Sequence, residues 1–376
     1  MPLLTIIVIW FQGGLKNISF YISPPLIFLG LLLIWAGMSV FWTVSPIPAL
    51  KTFMALGVTS IFAFLLISCL TKATPELISK VYTVVRFSGF FLMLFIIFHA
   101  SIFLFYKGFF TGDLSKFDVI KPTGSILGLT VFVGCAFMLA HKSKFFPAFM
   151  IFVLLSLLAY LTRCQTAIYG IILASSMFIL SYAMPFWITR ISMVSAYIFL
   201  LFSPLIYVYI FPPSKIIELP VLKQIINNSL FHRILAWEFY SKKFLENPFL
   251  GWGIESSRYL PTEPVLAVGY DNLLHPHNSS AQAFVELGIV GGILYAFFFA
   301  SLFWVVGKHV KDRLSVAVCN ATIAFGFIAA EITHNIWRNY WLSLVALTGG
   351  LIILFLKARE AQLRAEVDHS KRPLIQ

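Results

Sequence analysis

Two histidines flanking a proline, His275-Pro276-His277, run directly into Asn278, Ser279 and Ser280. An imidazole titrates near neutrality and can take a proton from an attacking hydroxyl. An amide beside it can orient a sugar or phosphate oxygen. The same residues could instead start a helix, with Asn278 or Ser279 as its N-cap. A metal held by the two imidazoles is a lesser alternative, since no third ligand lies near in sequence. Two arginines offer a fork suited to a diphosphate, Arg163 after an apolar run and Arg233 on an amphipathic stretch. Arg163 could also snorkel from a helix end, and Arg233 could lie on a solvated face. His334 and Arg338, in a short polar turn, could line the same cavity or anchor at the interface. Glu286 could orient a histidine, or simply suit the start of a helix.

These residues have to be positioned by a very apolar chain. Hydrophobic residues make up 60% of it, 40 of them phenylalanine, and charged residues only 11%, against about 25% in an average soluble domain. Apolar runs long enough to cross a hydrocarbon layer of about 30 Å recur along most of the sequence. They fall near 25–42, 50–70, 84–106, 123–140, 145–162, 166–184, 191–211, 279–306, 315–333 and 340–356. With a short first segment, they predict an all-α polytopic membrane protein of about eleven helices, since lipid offers backbone groups no other partner. The organisation expected is transmembrane helices over 1–211, a loop over 212–278, transmembrane helices over 279–356 and a tail over 357–376. The tail alternates charge at helical spacing and should extend the last helix.

The net charge of +12 follows from basic residues gathered in alternate connections and does not require nucleic acid. The richer set includes Lys72, Lys80, Lys142, Lys144, Arg190, Lys308, Lys311 and Arg313. That set should be cytoplasmic, which leaves the long loop and both histidines outside, facing the periplasm of a two-membrane bacterium. By parity the N-terminus is also outside, an expectation that would fit a first span missing from the front. Within the loop, 231–246 has amphipathic spacing with Arg233 and Trp237 on one face, and Asn247-Pro248 should end that helix. Gly251 and Gly253 then permit a tight turn or close backbone approach. The four cysteines have no metal-ligand spacing and read as apolar filler.

Four segments together resemble the O-antigen ligase and polymerase family of bacterial surface-polysaccharide enzymes. They are Ser39-Val-Phe-Trp-Thr-Val-Ser-Pro46, Leu161-Thr-Arg-Cys-Gln-Thr-Ala167, Arg233-Ile-Leu-Ala-Trp237 with Asn247-Pro-Phe-Leu-Gly-Trp-Gly253, and His277-Asn278 with Gln282, Glu286, Gly288 and Gly291. The resemblance implies a GT-C-like membrane glycosyltransferase of the bacterial inner membrane, with about twelve spans in the family. It further implies a glycan donor on undecaprenyl diphosphate, a lipid A-core acceptor, and neither cofactor nor metal. On that reading His277 is the base, Arg163 and Arg233 hold the diphosphate, and His275 and Asn278 position sugars. Ligase is the expected activity. Alternatives are polymerase with the same donor, a protein O-oligosaccharyltransferase, or a lipid-linked-sugar transporter.

Overall fold

The computed structural model describes residues 1–14, 20–85, 124, 128–129, 131–136, 145–161, 164–216, 228–261, 275–333 and 335–371. Its long elements are helices: α1 (Pro2–Phe11), α2 (Pro24–Met38), α3 (Pro46–Thr71), α4 (75–85), α5 (Phe145–Leu161), α6 (Gln165–Ala183), α7 (Pro185–Leu205), α8 (Asn228–Glu246), α9 (Ser279–His309), α10 (Arg313–Ile332) and α11 (Asn339–Lys371). Among the described residues seven helices are long and apolar enough to cross a membrane: α2 with its 3-10 extension, α3, α6, α7 with its extension to Ile210, α9, α10 and α11. The fold is that of an all-α polytopic membrane protein. The span expected at 84–106 and much of that at 123–140 lie outside the described residues.

Local sequence sets the helix starts. Proline stands in the first turn of α1, α2, α3 and α7, where its missing N–H costs nothing. This corrects one expectation. A helix was placed at 191–211 with Arg190 in the preceding connection, yet Pro185 starts α7 six residues earlier and puts Arg190 on the helix. Near the other end Pro204 removes a backbone donor, and Ile206–Ile210 continues as a π-helical turn that buries Tyr207. The charged tail does continue the last helix, to Lys371.

The core is built by α6 along α10, α7 along α9, and α2 along α9. Phe325 of α10 fills the space over Gly170 of α6, where an added Cβ would lie 2.6 Å from its ring. The loop helix α8 lies across the start of α9, burying Ala236, Tyr240 and Phe244 against Phe284 and Val285.

α9 is broken at Gly288, whose φ of 65° and ψ of −163° are non-helical. The break releases backbone groups that are taken up from outside the helix. Trp252 N–H donates to Val285 O at 2.9 Å, and Gly253 N–H to Glu286 O at 2.7 Å. The Trp35 indole donates to Leu287 O at 2.8 Å, and Ile289 N–H turns to Pro248 O at 2.8 Å. These four groups at the kink thus find partners outside the helix, as burial in a membrane bundle demands.

Candidate active site

The turn between α10 and α11 is where the candidate side chains converge. Arg233, projecting from α8, donates through Nη1 to Ile332 O at 3.2 Å. Nδ1 of His277 lies 3.3 Å from Thr333 O. A carbonyl can only accept, so Nδ1 carries the proton, and Nε2 is left as the lone-pair nitrogen. Nε2 has no hydrogen bond to any described residue. His277 has a φ of 54°, in the left-handed region that few non-glycine residues occupy. Its N–H donates to Nδ1 of His275 at 3.1 Å, and the two rings lie 4.0 Å apart.

Burial, followed by the neighbouring positive charge of Arg233, holds His277 below the ordinary imidazole value of 6.5, while the Thr333 hydrogen bond pulls the other way. The imidazole is therefore neutral near pH 7. Burial likewise lowers the Arg233 value, with Cys164 beside it, but a guanidinium stays charged in any accessible range.

Arg163 and His334 lie outside the described residues. The residues next to Arg163 do reach the same turn: Cys164 lies beside Arg233, and the Thr166 hydroxyl pairs with that of Thr333. Arg338 is exposed at the end of the turn sequence before α11, its N–H bonded to Asn335 O at 3.1 Å.

Asn278 and Glu286 have no exposed surface. Asn278 caps α9, accepting from Ala281 N–H at 2.7 Å, and its amide donates to the Tyr207 hydroxyl at 3.1 Å. Glu286 is a hub away from the histidines. It accepts from the N–H of Glu255 at 2.8 Å and of Ser257 at 3.3 Å. It also accepts from Gln282 Nε2 at 3.1 Å and from the Trp337 indole at 2.5 Å. Gln282 Oε1 in turn accepts from Ile336 N–H at 3.1 Å, so the turn carrying Thr333 is clamped to α9. Among the described residues no group of three His, Cys, Asp or Glu side chains could hold a metal ion.

Sequence reasoning missed Glu331. It is buried near the end of α10, accepting from the Tyr295 hydroxyl at 3.0 Å and lying 2.6 Å from Ser280 Oγ, which also meets Asn278 Oδ1 at 2.8 Å. The signal was available, since an acid inside an apolar span is functional until shown otherwise. Two buried donors beside the site, Trp237 Nε1 and Asn335 Nδ2, have no partner among the described residues. Nothing in the sequence marks either atom.

The early segment reaches the same framework. Ser39 Oγ accepts from Ile254 N–H at 2.9 Å, and Thr43 Oγ1 donates to Ile254 O at 2.9 Å. Gly253, with φ 87°, lies so close to Thr43 that an added Cβ would come within 2.4 Å of its Cα.

A helical membrane bundle that sets a neutral imidazole beside an arginine at one end defines a class: integral membrane proteins with a polar site at the mouths of their spans. Residues 150–296 of this polytopic membrane protein match the family model described as O-antigen ligase. The match bears out the resemblance carried by its motifs. A Rickettsia conorii protein described as "Putative polysaccharide ligase" is 32% identical over 127 residues, 31% of this chain and 29% of that protein. A Rickettsia felis protein of the same description is 23% identical over 342 residues, 87% of this chain and 80% of its own length. A third, from Rickettsia prowazekii, is 31% identical over 141 residues, 34% of this chain and 32% of that protein.

Proposed function

We propose that the protein is an O-antigen ligase, an enzyme that transfers a glycan from undecaprenyl diphosphate to a sugar hydroxyl of lipid A-core at the periplasmic face of the inner membrane. The observation that carries this reading is the pairing of Arg233 and His277 on adjacent carbonyls, Ile332 O and Thr333 O.

The chemistry follows from the tautomer. With its proton on Nδ1, His277 offers Nε2 to the acceptor hydroxyl and takes that proton as the oxygen attacks the anomeric carbon. The bond from that carbon to the diphosphate oxygen breaks, and undecaprenyl diphosphate leaves with the electron pair. Arg233 and Arg163 bind the diphosphate and stabilise its growing negative charge, as fixed cations do where water is excluded. Arg233 also keeps the resting imidazole neutral, so one cation serves both partners. Trp237 Nε1 and Asn335 Nδ2, buried donors without partners among the described residues, supply hydrogen bonds to glycan oxygens. His275 holds the His277 backbone in its left-handed turn.

The test is a lipopolysaccharide profile in a deletion strain complemented with wild type, His277→Ala or Arg233→Ala. Both variants should insert in the membrane at normal level, leave polymer on the undecaprenyl carrier and leave core uncapped. Core bearing a single repeat unit would instead mark a polymerase. Capped lipopolysaccharide at wild-type level in both variants would overturn the assignment.

A further inference from the structure

At the opposite end of the bundle a cleft of about 680 Å³ opens between α7, the last turns of α9 and the start of α10. Roughly 45 Å of helix separate it from His277, taking about 1.5 Å per residue along α9. Three of its lining residues are cations: Arg190 on α7, Lys308 in the last turn of α9, and Lys311 in the connection to α10. Among the described residues none of the three pairs with an acid. Asp312, the nearest acid in sequence, is already engaged, capping α10 through Ser315 N–H at 3.0 Å and lying 3.6 Å from Arg359. Two of the cations are held in place by rings: Arg190 over Phe186 at 4.0 Å, and Lys308 over Trp304 at 4.5 Å. The rest of the lining is mainly apolar and runs along α7 from Pro185 to Val194, about 13 Å of helix.

We infer that this cleft binds an anionic glycerophospholipid of the leaflet remote from His277. The phosphate sits among Arg190, Lys308 and Lys311, and the upper acyl chains lie against Phe186, Val194 and Phe303. Charge complementarity selects an anion, because three unneutralised cations meet at one mouth. Depth selects a lipid over a soluble anion, because the apolar wall continues into a span whose Val194 is exposed. The volume falls in the range of about 300–1,000 Å³ usual for ligand sites. It takes the phosphoglycerol and the first carbons of the chains, leaving the remainder in the bilayer. Basic clefts between spans are recurrent sites for anionic headgroups. The site does not depend on the transfer chemistry proposed above.

The test uses full-length protein in nanodiscs, with native mass spectrometry reading bound lipid. Phosphatidylglycerol should be retained in preference to phosphatidylethanolamine. Each cation near a charged headgroup contributes about fivefold, so Arg190→Gln/Lys308→Gln/Lys311→Gln should weaken phosphatidylglycerol binding roughly 100-fold. Lys72→Gln/Lys80→Gln/Lys357→Gln removes the same charge elsewhere and should leave binding within about twofold of wild type. Val194→Trp fills the apolar wall without touching charge and should also displace the lipid. All variants are compared as monodisperse species on size exclusion. Equal loss in both triple variants would mean diffuse attraction and overturn the site, as would equal retention of the two lipids. Thermal protection by inorganic phosphate as strong as that by phosphatidylglycerol would refute a lipid occupant.

Discussion

Replacing Gly288 by alanine tests whether the kink in α9 holds the site together. The residue sits at φ 65° and ψ −163°, a region essentially reserved for glycine, where a side chain costs about 1–3 kcal/mol. An added Cβ would also lie 2.2 Å from Phe249 O and 2.8 Å from Gly251 N. Both are backbone atoms, so no side chain can swing aside. Relieving the contact pulls the 248–253 turn off α9 and breaks the bonds from Trp252, Gly253 and Ile289, each worth about 0.5–1.5 kcal/mol net. The expected cost is roughly 3–7 kcal/mol, a large share of the 5–15 kcal/mol that holds a typical domain folded. Gly57→Ala is the control. It lies inside α3 with nothing within 4 Å of an added Cβ, and alanine there should gain about 0.5–1 kcal/mol. The assay is thermal unfolding of detergent-extracted protein, with recovery of monodisperse material beside it. Gly251→Ala meets the same backbone, with a Cβ 2.4 Å from Gly288 N, so the double variant should cost less than the two singles together. If Gly288→Ala unfolds within a degree or two of wild type, this account of the kink is wrong.

The pH dependence of transfer should show an acid limb with a midpoint below 6.5, because burial and Arg233 both disfavour the imidazolium of His277. Activity needs the neutral ring, so it is present above that midpoint and lost as pH falls through it. In Arg233→Gln the positive neighbour is gone, and the midpoint of the residual activity should move to higher pH. An unchanged midpoint would separate the two residues. Glu331→Ala removes the carboxylate acceptor from the buried Tyr295 hydroxyl, while Ser280 keeps Asn278 Oδ1 as an acceptor, and it should cost about 1–3 kcal/mol in thermal unfolding. Glu331→Gln supplies both a donor and an acceptor and should recover most of that loss. Glu286→Ala leaves four donors without their acceptor and should be more damaging than Glu331→Ala in the same assay.

Much of this protein can be read without coordinates. Long apolar runs dictate spanning helices, because a backbone in lipid must satisfy itself. Asn278 announces the start of α9 because its short amide reaches the N–H groups of the first turn, and Asn247-Pro248 closes α8 for an equally local reason. The spacing of Arg233 and Trp237 put them on one face of α8, but which face met the bundle was not a local matter.

The tertiary fold alone decided the rest, because it depends on partners distant in sequence. Glu286 was a candidate to orient a histidine, and only packing brings the N–H groups of Glu255 and Ser257 and the Trp337 indole around its carboxylate. Gly251 and Gly253 advertised backbone freedom without saying that the first would press on Gly288 of α9. The choice of Nδ1 as the protonated nitrogen of His277 rests on a carbonyl 56 residues away. Periodicity and capping are written within a few residues, whereas a proton's position is set by whatever the fold carries alongside.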